Sequence, residues 1–147
     1  LIDRPAQGKA LVLKLHDQLA QLDRSVPPGP RPRAFFEIWG QPLQGVAPGS
    51  LQGHLLTRAG FNNIVPDTRN EMPLISSEWV AEQRPDVLFF TEGSSADRIS
   101  ARPGWQRIPA VKKNRMIHLD ADLFSRAGPR VVEALAELLR VRREWVP

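Results

Sequence analysis

Arg84-Pro85-Asp86-Val87-Leu88-Phe89-Phe90-Thr91 is the stretch that decides the fold class of this chain. Its apolar centre is continuous but too short for an ordinary helix, and it follows a proline that ends any helix before it. Continuous apolar runs are typical of strands in parallel sheets, because helices cover both faces of such sheets. We therefore predict a buried strand at Asp86–Thr91.

Two more apolar runs predict strands beside this one. Arg33–Trp39 has the sequence RAFFEIW and Arg115–Leu119 the sequence RMIHL, and both contain the aromatic and branched residues that strands favour. Ile64 and Val65 predict a further short strand. The glycines and prolines of residues 40–49 predict a loop.

Apolar spacing and capping residues predict the helices. Leucines spaced by four and three residues place the first helix from Pro5 to about Arg24, and prolines make residues 26–32 a stiff connection. The other predicted helices are residues 51–59 between Ser50 and Gly60, a helix from Ser76 or Ser77 to about Gln83, a short helix at Arg102–Ile108, and a last helix opened by Gly128-Pro129 with Val131, Leu135, Leu138 and Leu139 on its core face.

Strands that alternate with helices predict an α/β fold, a three-layer α/β/α sandwich with a mostly parallel sheet. The chain has 147 residues, of which 41% are hydrophobic and 24% charged, as expected for one globular domain. We divide this domain into a leading helix at residues 1–25, the proline-rich connection at 26–32 and an α/β core at 33–147.

Charge and composition argue against several functions. The net charge is +4, but the arginines and lysines are scattered and are not interleaved with aromatic residues, so we predict no nucleic-acid partner. The chain has no cysteine, which excludes disulfides and thiolate chemistry.

No catalytic or metal-binding constellation can be assembled from the sequence. The three histidines lie in separate elements without metal-ligand spacing, and His118, inside a predicted strand, is expected to be a core or edge histidine. Ser50 lies outside a GxSxG motif and is expected to cap a helix. Asp120 and Asp122 allow acid–base chemistry, but loop aspartates usually form turns or caps. We predict that the protein is not an enzyme and has no metal and no cofactor of its own.

Ligands of open parallel sheets bind beyond the carboxyl ends of the strands. In this chain those ends lead into Trp39-Gly40, Glu92-Gly93 and the segment Asp120–Arg126. We therefore expect these three segments to line one mouth, although they lie far apart in the sequence.

Four stretches resemble, in this order, the carboxy-terminal lobe of class III (TroA-like) periplasmic substrate-binding proteins. They are FFEIWG at 35–40 with APGS at 47–50, ISSEWV at 75–80 with RPDVL at 84–88, RPGWQRIPAVKKNR at 102–115, and FSRAGPR at 124–130. The resemblance covers nearly the whole chain and is greatest to the members that carry cobalamin, with relatives that carry ferric siderophores or haem.

The resemblance implies a protein of two lobes joined by one long helix, with the ligand held between them. This chain would be the second lobe, the amino-terminal lobe would lie before Leu1, and Pro5–Arg24 resembles the helix that enters the lobe after the linker helix. It further implies an ABC permease as partner, a cobalamin, haem or ferric siderophore as the transported ligand, and a periplasmic or lipid-anchored extracellular location.

The docking residue implied by the resemblance is Glu78, in the pattern Ser76-Ser77-Glu78. In the family this carboxylate pairs with arginines of the membrane subunit. A helix N-terminus favours a carboxylate in any case, so an ordinary acidic residue of the first turn is the alternative.

The resemblance and the expected mouth together give six candidate ligand-binding residues: Trp39, Gly40, Met72, Glu92, Asp122 and Arg126. Trp39 has two open roles, stacking on a flat macrocycle or packing in the core. Met72 replaces an aromatic residue of the cobalamin-binding member, which argues against cobalamin. Arg126 faces an anionic ligand or pairs with a neighbouring aspartate, and Glu92 is either a rim residue or a helix cap.

Two other classes of function stay open at this point. One is a small-molecule enzyme or sensor domain that uses the same sandwich, with Glu92, Asp122 and Arg126 at its site. The other is a basic nucleic-acid module, whose binding would weaken steeply with salt.

Overall fold

The computed structural model describes residues 4–147, in which a five-stranded sheet is packed between helices. The strands are β1 (Arg33–Gly40), β2 (Leu43–Gly45), β3 (Asn62–Asn63), β4 (Val87–Phe90) and β5 (Met116–His118). The helices are α1 (Arg4–Arg24), α2 (Leu51–Arg58), α3 (Ser77–Gln83), α4 (Ala96–Ser100), α5 (Pro109–Lys112), α6 (Ala121–Phe124) and α7 (Val131–Glu144), with a 3₁₀ turn at Trp105–Arg107.

The sheet is mostly parallel, as predicted. β4 pairs in parallel with β1, and β5 pairs in parallel with β4. The other side of β1 is shared by two short strands, because β3 pairs in parallel with its start and β2 folds back antiparallel against its end. β2 lies inside the stretch that the sequence predicted to be a loop, so that prediction missed one strand.

Both faces of β4 are buried, which accounts for its continuous apolar sequence. Val87 and Phe89 pack in a cluster with α2 and α7, whereas Leu88 and Phe90 pack in a second cluster with α3, α4 and α5. The second half of α1 joins the first cluster through Leu19 and Leu22. Helices therefore cover both faces of the sheet, and the predicted α/β/α sandwich is confirmed.

The predicted short strand and the start of the last helix were each placed two residues away from where they lie. β3 consists of Asn62 and Asn63, because the Asn63 side chain accepts a hydrogen bond from the Val65 N–H at 3.1 Å and turns the chain out of the sheet. The last helix begins at Val131, since the Val131 N–H first closes a turn on the Gly128 carbonyl at 3.0 Å.

The predicted helix at Arg102–Ile108 forms only a 3₁₀ turn, because Gly104 has a left-handed backbone (φ 83°) that interrupts it. Two further short helices were not predicted: α4, for which the sequence analysis predicted no element, and α6, whose aspartates were expected in a loop. Ser95 caps α4 through the Arg98 N–H at 3.2 Å, and Asp120 caps α6 through the Asp122 N–H at 2.9 Å. These caps are visible in the sequence, but the helices are too short for an apolar period to mark them.

The proline-rich connection is held in place by a buried arginine of the last helix. Arg142 is 3% exposed, and its guanidinium donates to the carbonyls of Gly60 (3.3 Å), Pro27 (3.4 Å) and Pro30 (3.0 Å). Burial, together with the neighbouring Arg31, lowers the pKa of Arg142, yet an arginine stays charged at neutral pH. No helix in residues 4–147 has the length and apolar character needed to span a membrane.

Candidate functional site

The three segments expected to form a mouth are in contact. β1 and β4 end side by side, and a Cβ atom built on Gly93 would lie only 3.1 Å from the indole ring of Trp39. Each carboxylate oxygen of Glu92 lies 3.2 Å from the backbone nitrogen of Ala121, which donates to both. We call this edge, formed by Trp39, Gly40, Glu92, Gly93 and Ala121, the mouth.

Trp39 presents a fixed and open aromatic face at the mouth. Trp39 is 52% exposed, and its Nε1–H donates to the Gln41 carbonyl at 2.9 Å. Gly93 leaves room for the ring, because a larger residue there would press on it. The ring is thus on the surface, which rules out core packing and leaves it free to stack on a ligand.

A first pocket of about 420 Å³ opens beside Trp39. It is lined by Gly40, Gln41, Gly93, Ser94, Arg98, Ala101, Arg102 and Pro103. Arg98 is exposed on α4, and within residues 4–147 no carboxylate lies in ion-pair range of it. The first pocket therefore offers one guanidinium that is free to bind an anion.

A buried ion pair forms the floor of the first pocket. Glu37 is 2% exposed, and Arg102 donates to both of its oxygens, at 2.6 Å from Nη1 and 2.9 Å from Nη2. The guanidinium carbon of Arg102 lies 4.5 Å from the centre of the Trp105 ring. A Cβ atom on Gly40 would meet Glu37 Oε1 at 2.9 Å, so the missing side chain of Gly40 keeps the pair intact.

The sequence analysis missed Arg98, Arg102 and Glu37. One signal was available, because Glu37 is a charged residue inside an otherwise apolar strand, and a buried carboxylate requires a partner. The partner, 65 residues away, carries no signal of its own in the sequence.

A second pocket of about 360 Å³ lies after α6 and is lined by Asp122, Arg126, Ala127, Gly128, Pro129 and Arg130. The suggested pairing of Arg126 with Asp120 or Asp122 is not formed among the described residues. Asp120 instead caps α6, which is the ordinary role considered for it. Asp122 and Arg126 thus share one open depression, separate from Asp120.

Glu92 and Met72 occupy different surroundings. Glu92 is exposed at the mouth, binds the first N–H of α6, and lies 3.7 Å from His118 Nε2, so it is both a rim residue and a cap. His118 is itself exposed on the edge strand β5. Met72 lies beside β2, where its carbonyl accepts from Gln44 Nε2 at 3.4 Å, and it lines neither pocket described above.

Glu78 lies exposed in the first turn of α3. Hydrogen bonds from its own backbone N–H and from the Ser76 hydroxyl, the latter at 2.9 Å, lower the pKa of the Glu78 carboxyl. The buried Trp105 fixes this end of α3, because its Nε1–H donates to the hydroxyl and the carbonyl of Ser77 at 2.8 and 3.1 Å. The result is a carboxylate that is ionised at neutral pH, on a part of the surface that Trp105 holds in place.

The mouth and the first pocket offer a surface for binding. Within residues 4–147, no group of three or more histidine, aspartate or glutamate side chains is placed to hold a metal ion. The guanidiniums that line the two pockets can donate hydrogen bonds but do not exchange protons at neutral pH. An exposed indole beside the first pocket provides a surface for an amphipathic ligand.

Comparisons with known proteins agree with this reading. A family model for periplasmic binding proteins matches residues 1–123. An uncharacterised ABC transporter substrate-binding lipoprotein of Bacillus subtilis is 38% identical over 64 residues, 44% of this chain and 20% of the relative. The vitamin B12-binding protein of Vibrio parahaemolyticus is 24% identical over 136 residues, 92% of this chain and 50% of the relative.

A solved structure confirms the fold. The crystal structure of a possible iron-binding periplasmic solute-binding protein from Staphylococcus epidermidis matches with a TM-score of 0.85 and 29% identity, over 95% of this chain and 56% of that one. The chain thus spans about half the length of the Vibrio parahaemolyticus and Staphylococcus epidermidis proteins. The family model for periplasmic binding proteins covers most of the sequence. The chain belongs to the periplasmic binding protein family.

Proposed function

We propose that this chain is the carboxy-terminal lobe of the substrate-binding component of an ABC importer. A cobalamin, ferric siderophore or haem ligand would be held between its mouth and an amino-terminal lobe, and then delivered to the permease unchanged. The observation that carries the proposal is the fixed, half-exposed indole of Trp39 beside an open pocket at the carboxyl ends of the strands. Membership of the periplasmic binding protein family supports it.

The ligand site in this proposal uses the predicted residues in three ways. Trp39 and Gly40 supply the stacking surface and the space beside it, and Asp122 and Arg126 supply polar contacts from the second pocket. Glu92 holds α6 against β4 and so positions the second pocket. Met72 is the least supported member, because its segment lies along β2 rather than at the mouth.

The full-length protein is expected to bind at least one of cyanocobalamin, haem and a ferric siderophore at micromolar affinity or tighter. The 147-residue chain alone should bind the same ligand at least about tenfold more weakly, because sites that bury most of a ligand lose affinity when one wall is absent. Spectral titration or calorimetry with this panel measures both values. Failure of the full-length protein to bind any of the panel would contradict the proposal.

The proposed partner is a permease that docks on the exposed start of α3. Glu78 suits this role because it is exposed, ionised and held by Ser76. Charged groups on a docking surface raise the rate of encounter and fix the orientation of the partner. The first pocket and the surface around Glu78 share Pro103 in their walls, so the ligand site and the docking carboxylate are close neighbours.

Glu78→Gln is expected to reduce uptake by about tenfold, because it removes the charge and keeps the size of the side chain. Ligand affinity of the isolated protein should stay unchanged, since Glu78 lines neither ligand pocket. Glu144→Gln at the end of α7, which lines neither ligand pocket, is the matched control and should leave uptake unaffected. Uptake assays in cells, with calorimetry on the purified variants, test the assignment; a loss of ligand affinity in Glu78→Gln would refute it.

The proposed location is the periplasm, or the outer face of the membrane with a lipid anchor. The family model is that of periplasmic binding proteins, the Staphylococcus epidermidis match is described as periplasmic, and the Bacillus subtilis relative is named a lipoprotein. Fractionation of cells with an antibody against this lobe tests the location.

A further inference from the structure

The first pocket contains one positively charged side chain, that of Arg98, whose charge is not balanced by a neighbouring carboxylate among the described residues. Arg98 and Arg102 line the pocket, and Glu37 lies under its floor. Both oxygens of Glu37 are bound to Arg102, so these two charges cancel. Arg98 is left as an uncompensated positive charge at the pocket wall, within the described part of the chain.

The surrounding polar groups also suit an anion. Ser94 lines the pocket and has a hydroxyl that can donate, and the guanidinium of Arg98 has several N–H donors in a fork that matches a carboxylate. None of the described residues that line the pocket is acidic, and the nearby Glu37 carboxylate is buried and paired. An acidic group that enters the pocket from a ligand therefore meets donors on its walls, while the exposed Glu92 carboxylate lies outside the pocket and accepts from the Ala121 N–H.

Trp39 and the first pocket share one wall. The Trp39 ring lies against Gly93, and Gly93 lines the pocket. A ligand whose flat or apolar body covers the indole therefore has its edge beside Arg98. A neutral amide edge would cover this guanidinium without compensating its charge, which costs free energy, whereas a carboxylate would pair with it.

We infer that, among the ligands of the proposed function, the mouth selects one with free carboxylates at its edge, and that Arg98 is the residue that determines this specificity. The inference rests on the proposed function and narrows its ligand class. Two sources supply such a carboxylate, a porphyrin that carries propionates and a carboxylate siderophore. Cobalamin, whose edge consists mainly of amides, and neutral ferric hydroxamates fall outside the class.

The test measures the affinity of the full-length protein for haem, haem dimethyl ester, ferric citrate, ferrichrome and cyanocobalamin. Haem or ferric citrate should bind tightest, and the choice between them identifies the source of the carboxylate. Blocking the propionates in the dimethyl ester should weaken porphyrin binding at least about tenfold if haem is the ligand. Arg98→Gln should weaken binding of the preferred ligand by about 10–100-fold, as expected for a charge-assisted hydrogen bond.

Arg24→Gln, at the exposed end of α1, is the matched control and should change the affinity less than twofold. Tightest binding of cyanocobalamin or ferrichrome, or equal effects of Arg98→Gln and Arg24→Gln, would overturn the inference while leaving the proposed function in place. Binding of none of the five compounds would overturn both. Circular dichroism of each variant verifies that the fold is retained.

Discussion

Arg102→Met is expected to lower the free energy of unfolding by about 3–5 kcal/mol, because it leaves the Glu37 carboxylate buried without a partner. Glu37 is 2% exposed, and both of its oxygens receive hydrogen bonds from Arg102 at 2.6 and 2.9 Å. Methionine keeps much of the apolar volume of the arginine, so the measured loss reports chiefly on the charge. Urea unfolding followed by circular dichroism gives the value.

The chain offers a matched control for this experiment. Arg58 makes a similar two-point contact with Asp23, at 3.1 and 2.7 Å, but the two side chains are 41% and 43% exposed. Arg58→Met should therefore cost less than about 1 kcal/mol. The double variant Glu37→Leu with Arg102→Met should regain most of the loss, since a buried pair can be replaced by apolar residues. Equal losses for Arg102→Met and Arg58→Met would show that burial of Glu37 is not what matters.

Gly53→Ala is expected to destabilise the lobe by about 3–5 kcal/mol, which combines overpacking with the loss of a helix cap. A Cβ atom on Gly53 would lie 2.1 Å from the Ala47 carbonyl oxygen and 2.8 Å from Pro48 Cα, and both are backbone atoms that cannot rotate away. The helix α2 would have to move outward. That movement would break the Ser50 cap, in which the hydroxyl accepts from the Gly53 N–H at 3.0 Å.

Gly8→Ala in α1 is the control for the glycine prediction, because a Cβ atom there meets nothing within 4 Å. Alanine has a higher helix propensity than glycine, so this change should stabilise the chain by about 0.5–1 kcal/mol. Thermal and urea unfolding of the two variants should therefore move in opposite directions. A stabilised Gly53→Ala variant would mean that α2 does not pack against residues 47–48 as described.

Much of the fold could be predicted from the sequence because its main signals are local. The apolar run at 86–91, the strand at 33–39 and the cap at Ser50 each follow from a few adjacent residues, and each is found in the structure. β2 was missed because only three residues form it, between glycines and prolines. Its stability comes from pairing with β1, which no local pattern reveals.

The candidate site was predicted less completely, because it depends on contacts between distant residues. The general rule for parallel sheets brought Trp39, Gly93 and the segment after β5 to one edge. It did not indicate that Arg102 would turn inward to pair with Glu37 while Arg98, four residues earlier, would stay free. Within residues 4–147, Arg102 is paired and Arg98 is not, because only Arg102 reaches the buried carboxylate of Glu37.

The hydrogen bonds between Arg142 and the proline-rich connection can form only after Arg142 has been synthesised, which is long after the connection itself. Arg142 is synthesised 115 residues after Pro27 and 112 residues after Pro30, whose carbonyls it binds. At about 5–20 residues per second, a ribosome covers that distance in roughly 6–23 s. During this interval the connection lacks the guanidinium that holds it, and the contacts available to the first helix are those with earlier residues, such as the pair between Asp23 and Arg58. The connection can therefore take its final position only after the last helix has been made.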